Sequence, residues 1–386
     1  MKYVMVKLAQ MIDSKTPKKC CSFVNVVEYK EKYKIACASK ERDLVRVAVI
    51  VPVYNTAKYL KECLESLLRQ VHGNYKIFAV DDGSTDGSSL ILDEYLDKTE
   101  KLEVVHIENH GVAFARNVAL EKIEEEGGFD LIAFCDSDDV VTSDFLRCYV
   151  DGWLRYSAQF IVVGYISFNK KGFVNNSLKK KHSDTLIHGD EIFEFGFTDY
   201  MKSSPAYSVF IGNVCFAADA IRGIRFDVSK RIAEDQDFRF RALQHCKRGL
   251  IISDVVYHYR LRKCSLSHES KYSTANLTFC LRWLRELKEM SPSLRKILEN
   301  RAIKQWEICV KRAYEQDLLD RCWSELGRYL EEIDLLSRYN DPRRFTIKMF
   351  FFRRGIAGIK IYMFLRCAKR GGGNGVDVTK FGKVFD

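Results

Sequence analysis

Three carboxylates, Asp136, Asp138 and Asp139, follow the apolar run DLIAF in the stretch FCDSDDVV. Two aspartates at i and i+2 where a strand ends can both face a divalent cation if the chain turns there. Mg2+ is commonly held by one or two carboxylates plus substrate phosphates, so the pattern points to a phosphate-bearing ligand. The plainer reading is that these acids cap a helix beginning near Ser143 or sit in a solvated turn. Asp81 and Asp82 close a second apolar run in VDDGSTDGS. Either could accept the N–H of a uracil or bond a ribose hydroxyl, with backbone amides available around Gly83; the plainer reading is an ordinary Asx turn. Arg116, in HGVAFARNVAL, stands roughly one helical turn in from Gly111 and could neutralise a diphosphate, or merely make a surface ion pair. Glu234 and Asp235, in AEDQDF, head a helix, where acids balance the helix dipole and where a carboxylate could equally serve as a general base.

Such residues need a scaffold that gathers them. From Val47 onward, short β-branched runs alternate with segments of helical period, the pattern of a mostly parallel sheet with helices on both faces. Strands are expected at Val47 to Asn55, Lys76 to Ser84, Leu102 to Asn109, Asp130 to Asp139 and Gln159 to Phe168. Between the first two, Leu60, Cys63, Leu64, Leu67 and Leu68 share one helical face, a buried stripe. The polar clusters YNT, DDGSTDGS, ENHG and DSDD all fall at strand C-terminal ends, where open α/β sheets bind ligands, which predicts one composite site. After Phe168 the periodicity loosens through a basic loop and GNVCFAADAIRGIRFD. A helix opened by EDQDF and the strand GLIISDVVYHYR follow, and from Ser273 the pattern is helical.

Composition bounds the function class. At 386 residues, 47% hydrophobic with 5 prolines, the chain is long enough for a large domain plus a smaller one. Its 13 cysteines include no CxxC pair and no zinc-type Cys/His spacing, which argues against a disulfide framework or structural zinc and for a reducing compartment. The start lacks a signal-peptide core and no window reaches the ~18 apolar residues of a membrane span, so a cytoplasmic location is expected. The net charge of +10 is concentrated at the C-terminus, where residues 341–386 hold 11 Lys/Arg against 3 Asp. That charge would suit nucleic acid, an anionic membrane surface or an acidic substrate. No GxGxxG follows the first strand and no GxxxxGK[ST] occurs, which excludes a Rossmann-type dinucleotide site and a P-loop.

Taken together and in order, VIVPVYN, VDDGSTDGS, GVAFARN, FCDSDD and AEDQDF resemble the family 2 nucleotide-sugar glycosyltransferases, inverting enzymes with a GT-A fold. The resemblance covers roughly Val47 to His268, and such a joint match is far more specific than any one piece. It implies a GT-A type, mostly parallel α/β sheet over residues 46–270, a helical region over 271–340 and a basic amphipathic segment and tail over 341–386. Residues 1–45 form an extension to which no role is assigned. Pro52 and Tyr54 would flank the base, Asp82 would hydrogen-bond it, and Arg116 would sit near the phosphates. Asp136 and Asp138 would be the DxD pair holding Mg2+ or Mn2+, with His258 as a further metal candidate. Asp139 and Glu234 would serve as supporting, sugar or acceptor carboxylates, and Asp235 would be the general base. Arg260 or Arg262 could clamp the diphosphate, Ser265 and Ser267 could donate to phosphate, and His268 could approach the metal; a strand histidine such as His258 is otherwise a packed residue.

The implied activity is metal-dependent transfer of a sugar from a nucleotide diphosphate donor, a UDP-sugar, to a growing surface polysaccharide or lipid-linked glycan of a bacterium. The tail Arg343 to Arg370 mixes aromatic and aliphatic residues with nine cations. It reads either as an interfacial helix at the inner membrane face or as a packed helix with a solvated basic side. Two rivals remain. A sugar nucleotidyltransferase would open with a Gly-rich basic loop, which PVYNTAKYL lacks, and a non-catalytic nucleotide- or glycan-binding relative would not need intact acidic elements. Nucleic acid is not an expected partner, since no recognised motif accompanies the terminal charge.

Overall fold

The computed structural model describes residues 41–169, 172–173, 184–189, 191–193, 210–230, 233–262, 273–286, 291–316 and 318–337. Most of the N-terminal extension, the segment carrying Ser265, Ser267 and His268, and the basic tail over 341–386 lie outside the described residues.

The chain opens as expected with strand β1 (Val47–Val53), helix α1 (Ala57–Leu68), β2 (Tyr75–Asp82), α2 (Ser88–Leu96), β3 (Leu102–Ile107), α3 (Val112–Glu126) and β4 (Leu131–Phe134). Every residue of β1 and β4 is buried, as β-branched and apolar runs must be when helices cover both faces of a parallel sheet. Alternation along β1 divides the core. Val47, Val49, Val51 and Val53 pack with Leu60, Cys63, Leu64 and Leu67 of α1. Ala48 and Ile50 face the other way, toward Ala115, Ala119 and Leu120 of α3.

Next come β5 (Val140–Val141), α4 (Phe145–Tyr156), β6 (Phe160–Asn169), β7 (Gly172–Phe173), β8 (Thr185–His188), β9 (Val214–Ala217), α5 (Glu234–Leu243) and β10 (Arg248–Arg260). Among the described residues one sheet runs β3-β2-β1-β4-β9-β6-β10-β5, with β7 on β6 and β8 on β10. The four strands β3, β2, β1 and β4 are parallel, as are β6 and β10. Between those blocks lies β9, antiparallel to β4 and to β6. The periodicity reading assigned no strand there: VCFA is four residues, entirely buried, and too short to display a period. Because β9 reverses direction twice over, β4, β6 and β10 all point the same way, and the C-terminal end of β10 reaches the same sheet edge as the four polar loops.

Three helices complete the described chain: α6 (Ala275–Glu286), α7 (Pro292–Glu315) and α8 (Leu319–Ser337). Ser291 caps α7 by accepting the Leu294 N–H at 3.1 Å, with Pro292 in the first turn where its missing N–H costs nothing. Their apolar faces join the α3 side of the core: Phe240 of α5 packs 4.5 Å from the Trp283 ring and 5.9 Å from the Phe279 ring. The Trp306 indole N–H donates to the Leu326 carbonyl at 2.8 Å, which satisfies the one polar group of a buried ring.

Candidate functional site

The loop after β1 is zipped to the loop after β2. Asn55, in the left-handed region at φ 51°, accepts the Thr85 N–H at 2.8 Å and donates its own N–H to Ser84 Oγ at 3.0 Å. The Thr56 N–H reaches Ser88 Oγ and the Ala57 N–H reaches Asp86 Oδ2, at 3.0 and 2.9 Å. Asn is among the few side chains that tolerate this backbone. Pro52 is buried at the end of β1, while Tyr54 beyond it is 50% exposed and free to meet a flat ligand.

Asp81 and Asp82 are both buried and spend their oxygens differently. Asp82 accepts the backbone N–H groups of His110 and Gly111 at 2.8 and 2.9 Å, which folds the loop after β3 against β2. Gly83 permits that closeness: at φ 69°, a Cβ there would lie 2.8 Å from the Asn109 nitrogen. Asp81 accepts from Ser84, Ser89 and the His106 ring, and these bonds hold its carboxyl below the usual range although burial alone would raise it. His106 lies between Asp81 and Asp93, at 2.9 and 3.0 Å.

The acidic loop after β4 is a turn, closed by the Asp139 N–H donating to the Asp136 carbonyl at 3.0 Å. The adjoining helix starts at Phe145 with Asp144 at its N-cap position, so Asp136 to Asp139 do not cap it. Thr56 Oγ1 bonds Ser137 Oγ at 3.0 Å. Asp138 is buried beside Arg262, 2.5 Å from Nε to Oδ2, and its backbone carbonyl accepts from Arg260 Nε at 2.7 Å. Its carboxyl is pushed up to about 6, first by burial and then by the charge of Asp136, against the pull of Arg262. Asp139 is 1% exposed and both oxygens are taken, Oδ1 by the Arg260 N–H and Oδ2 by the Tyr257 hydroxyl, each at 2.7 Å. Burial, then the charges of Asp138 and Asp136, push its carboxyl well above the ordinary range.

Arg116 joins this loop to the head of α5. The guanidinium is 4% exposed; Nη2 lies 3.1 Å from Asp136 Oδ1 and Nη1 3.2 Å from Glu234 Oε1, while Nε has no hydrogen-bond partner among the described residues. Burial, then the charge of Asp235, raise Glu234 to about 7, against the pull of Arg116. Asp235 follows in the same first turn and is half-buried. Asp237, two positions further on, anchors the helix through Lys230 at 2.6 Å, Arg241 at 3.0 Å and Arg282 of α6 at 3.5 Å.

Two expected site residues sit differently. Arg260 is engaged by Glu62 of α1 at 2.6 Å and lies over the Tyr59 and Phe168 rings, so it braces the loop more than it reaches outward. His258 is half-buried and edge-on to the Phe173 ring at 5.5 Å, with its basicity lowered by burial, the geometry of a packed strand histidine. Among the described residues no three His, Cys, Asp or Glu side chains converge as a ready-made metal cage. The Asp136 and Asp138 pair nonetheless fits Mg2+ or Mn2+ in donor chemistry: two hard carboxylate oxygens sit two residues apart in one turn, with Arg262 on Asp138 Oδ2 in the cation's place here. Sequence reasoning attached no role to Thr56, His106 or Tyr257, whose partners lie far off along the chain and leave no local pattern.

The family model described as Glycosyl transferase family 2 matches residues 48–233. Glycosyltransferase GlyA of Streptococcus pneumoniae serotype 4 is 31% identical over 225 residues, 58% of this chain and 31% of that protein. Minor teichoic acid biosynthesis protein GgaB of Bacillus subtilis strain 168 is 24% identical over 299 residues, 74% of this chain and 32% of that protein. The chain therefore spans about a third of the length of these two relatives. Among solved structures, S. aureus TarS 1-349 in complex with UDP-GlcNAc superposes with a TM-score of 0.58 at 20% identity, covering 76% of this chain and 84% of that one. At that identity the likeness is one of fold, a mixed α/β sheet of the GT-A type followed by helices.

Proposed function

Residues 48–233 match the glycosyl transferase family 2 model, and from that premise we propose that this chain is a member of that family and transfers a sugar, with inversion, from a UDP-sugar to a cell-surface glycan of the teichoic-acid or polysaccharide kind. The observation that carries the reading is the Arg116 guanidinium shared between Asp136 and Glu234, which brings the two acidic motifs into one site. A GT-A neighbour captured with UDP-GlcNAc and a relative named for teichoic acid biosynthesis support the donor and acceptor classes.

In this reading Pro52 and Tyr54 flank the base. Asp82 shapes the loop beneath it and keeps a lone pair on each oxygen for the nucleoside. Asp138, with Asp136, would hold Mg2+ or Mn2+, which when bound neutralises the charge of the departing diphosphate. Arg116 adds fixed positive charge beside the diphosphate. Asp235 takes the proton of the acceptor hydroxyl as that oxygen attacks the anomeric carbon, on the face opposite the leaving diphosphate. Glu234 orients sugar or acceptor hydroxyls beside it, and Asp139 holds the acidic turn in shape. The basic segment 341–386, outside the described residues, is proposed to bring the enzyme to an anionic membrane carrying the acceptor.

A donor panel reading nucleoside diphosphate release with Mn2+ or Mg2+, against EDTA, tests this. Release from a UDP-sugar, lost in EDTA, is expected; release unaffected by EDTA removes the metal, and no release from any donor removes the activity. Equal flotation on anionic liposomes with and without residues 343–386 would remove the membrane role.

A further inference from the structure

We propose that Tyr257 is the positioning residue for the acidic loop, its hydroxyl stapling the Asp136 to Asp139 turn so that Asp136 and Asp138 meet a divalent cation and diphosphate together. The proposal rests on the reading of that turn as the metal and diphosphate site.

The geometry is specific. The hydroxyl oxygen accepts the Asp136 N–H at 3.2 Å and donates to Asp139 Oδ2 at 2.7 Å, so one atom ties the first and fourth residues of the turn. The corner between them carries Ser137 and Asp138. The Arg260 N–H takes the other oxygen of Asp139, so this carboxylate, 1% exposed, is held into the turn from both sides. The hydroxyl has no freedom to be elsewhere. Tyr257 is fully buried, with the Phe210 ring at 5.2 Å and the Phe145 ring at 5.9 Å. Gly212 closes the space above it: a Cβ there would lie 2.4 Å from the hydroxyl oxygen and 2.8 Å from Cζ. The backbone of Tyr257 meanwhile pairs with Val141, so the strand that leaves the turn is laid on the residue that staples it. Groups that orient metal ligands from behind typically contribute about 10- to 100-fold to metal affinity or activity.

The test is Mn2+ binding in the presence of UDP, read by the electron paramagnetic resonance signal of free Mn2+, on the full chain. Tyr257→Phe keeps the ring and removes the staple, and is expected to weaken Mn2+ binding by about 10- to 100-fold. Gly212→Ala displaces the hydroxyl and should weaken binding in the same direction, which decides the matter if Tyr257→Phe does not fold. Tyr149→Phe is the control, another fully buried tyrosine whose hydroxyl has no partner among the described residues, and should bind as the wild type does. If the wild type holds Mn2+ and both Tyr257→Phe and Gly212→Ala hold it equally well, the Tyr257 proposal falls alone. If the wild type holds no Mn2+ beside UDP, the metal assignment falls and takes this proposal with it.

Discussion

The carboxylates of this site share a neighbourhood but not a fate. Asp139 is spent on Tyr257 and Arg260, Asp138 is crowded by burial and by Asp136, and Glu234 is raised to about 7 beside Asp235. Replacing Asp235 with Asn is expected to lower turnover by about 10²- to 10⁴-fold while leaving the donor KM nearly unchanged, since a general base acts on the acceptor proton and not on donor binding. Steady-state kinetics with the donor and acceptor varied separately checks this. His106 gives a stability prediction with a definite sign. Burial would lower its pKa, but hydrogen bonds and charges from Asp81 and Asp93 overcome that and raise it above 6.5. The protonated ring therefore favours the folded state; its contribution is full below the ordinary value and is lost as pH rises through the raised one. Urea unfolding of His106→Asn should show its deficit at pH 6 and a shrinking deficit above neutrality. The deficit should stay under about 1 kcal/mol because the pair is half open to solvent.

At the scale of elements, α5 matters because its first turn carries Glu234 and Asp235 while Asp237 fixes its position. Asp237 is buried and faces Lys230, Arg241 and Arg282; without it Lys230 keeps Asp227 and Arg282 keeps Asp227 and Glu286. Asp237→Ala is expected to destabilise by about 1–3 kcal/mol, measured by chemical denaturation, and to lower turnover through displacement of α5. The strands β1, β2, β3 and β4, helix α1 and the polar loops at the strand ends were all legible from period and turn chemistry, because each signals itself within ten or so residues. The strand β9 was not, although it sits at the centre of the sheet. Its four residues acquire strand geometry from β4 and β6 on either side, which is a property of the neighbours and not of VCFA.

At the scale of the whole molecule, the helices α6 to α8 are continuous with the sheet's core through Phe240, Phe279 and Trp283. The sequence boundary near residue 270 therefore crosses a single apolar cluster. Trp283→Ala is expected to cost about 3–5 kcal/mol and to shift one cooperative unfolding transition of residues 45–337 without splitting it. Circular dichroism and tryptophan fluorescence followed together would show coincident curves; separate midpoints for the sheet and the helices would refute shared cooperativity. Among the described residues no helix is long and apolar enough to cross a membrane.

The residues with chemical potential declared themselves in the sequence because acids, arginine and glycine at fixed offsets to apolar runs are locally coded. Asp136, Asp138, Asp82, Arg116 and Asp235 could all be named from spacing and family resemblance. Tertiary structure decided how each carboxylate is used. Asp139 is committed to Tyr257 from a strand more than a hundred residues later, Arg260 is turned to Glu62, and Arg116 is shared between two motifs. Hydrogen-bond partners and desolvation depend on which distant segments the sheet order brings to one edge, and a local pattern carries no record of that order.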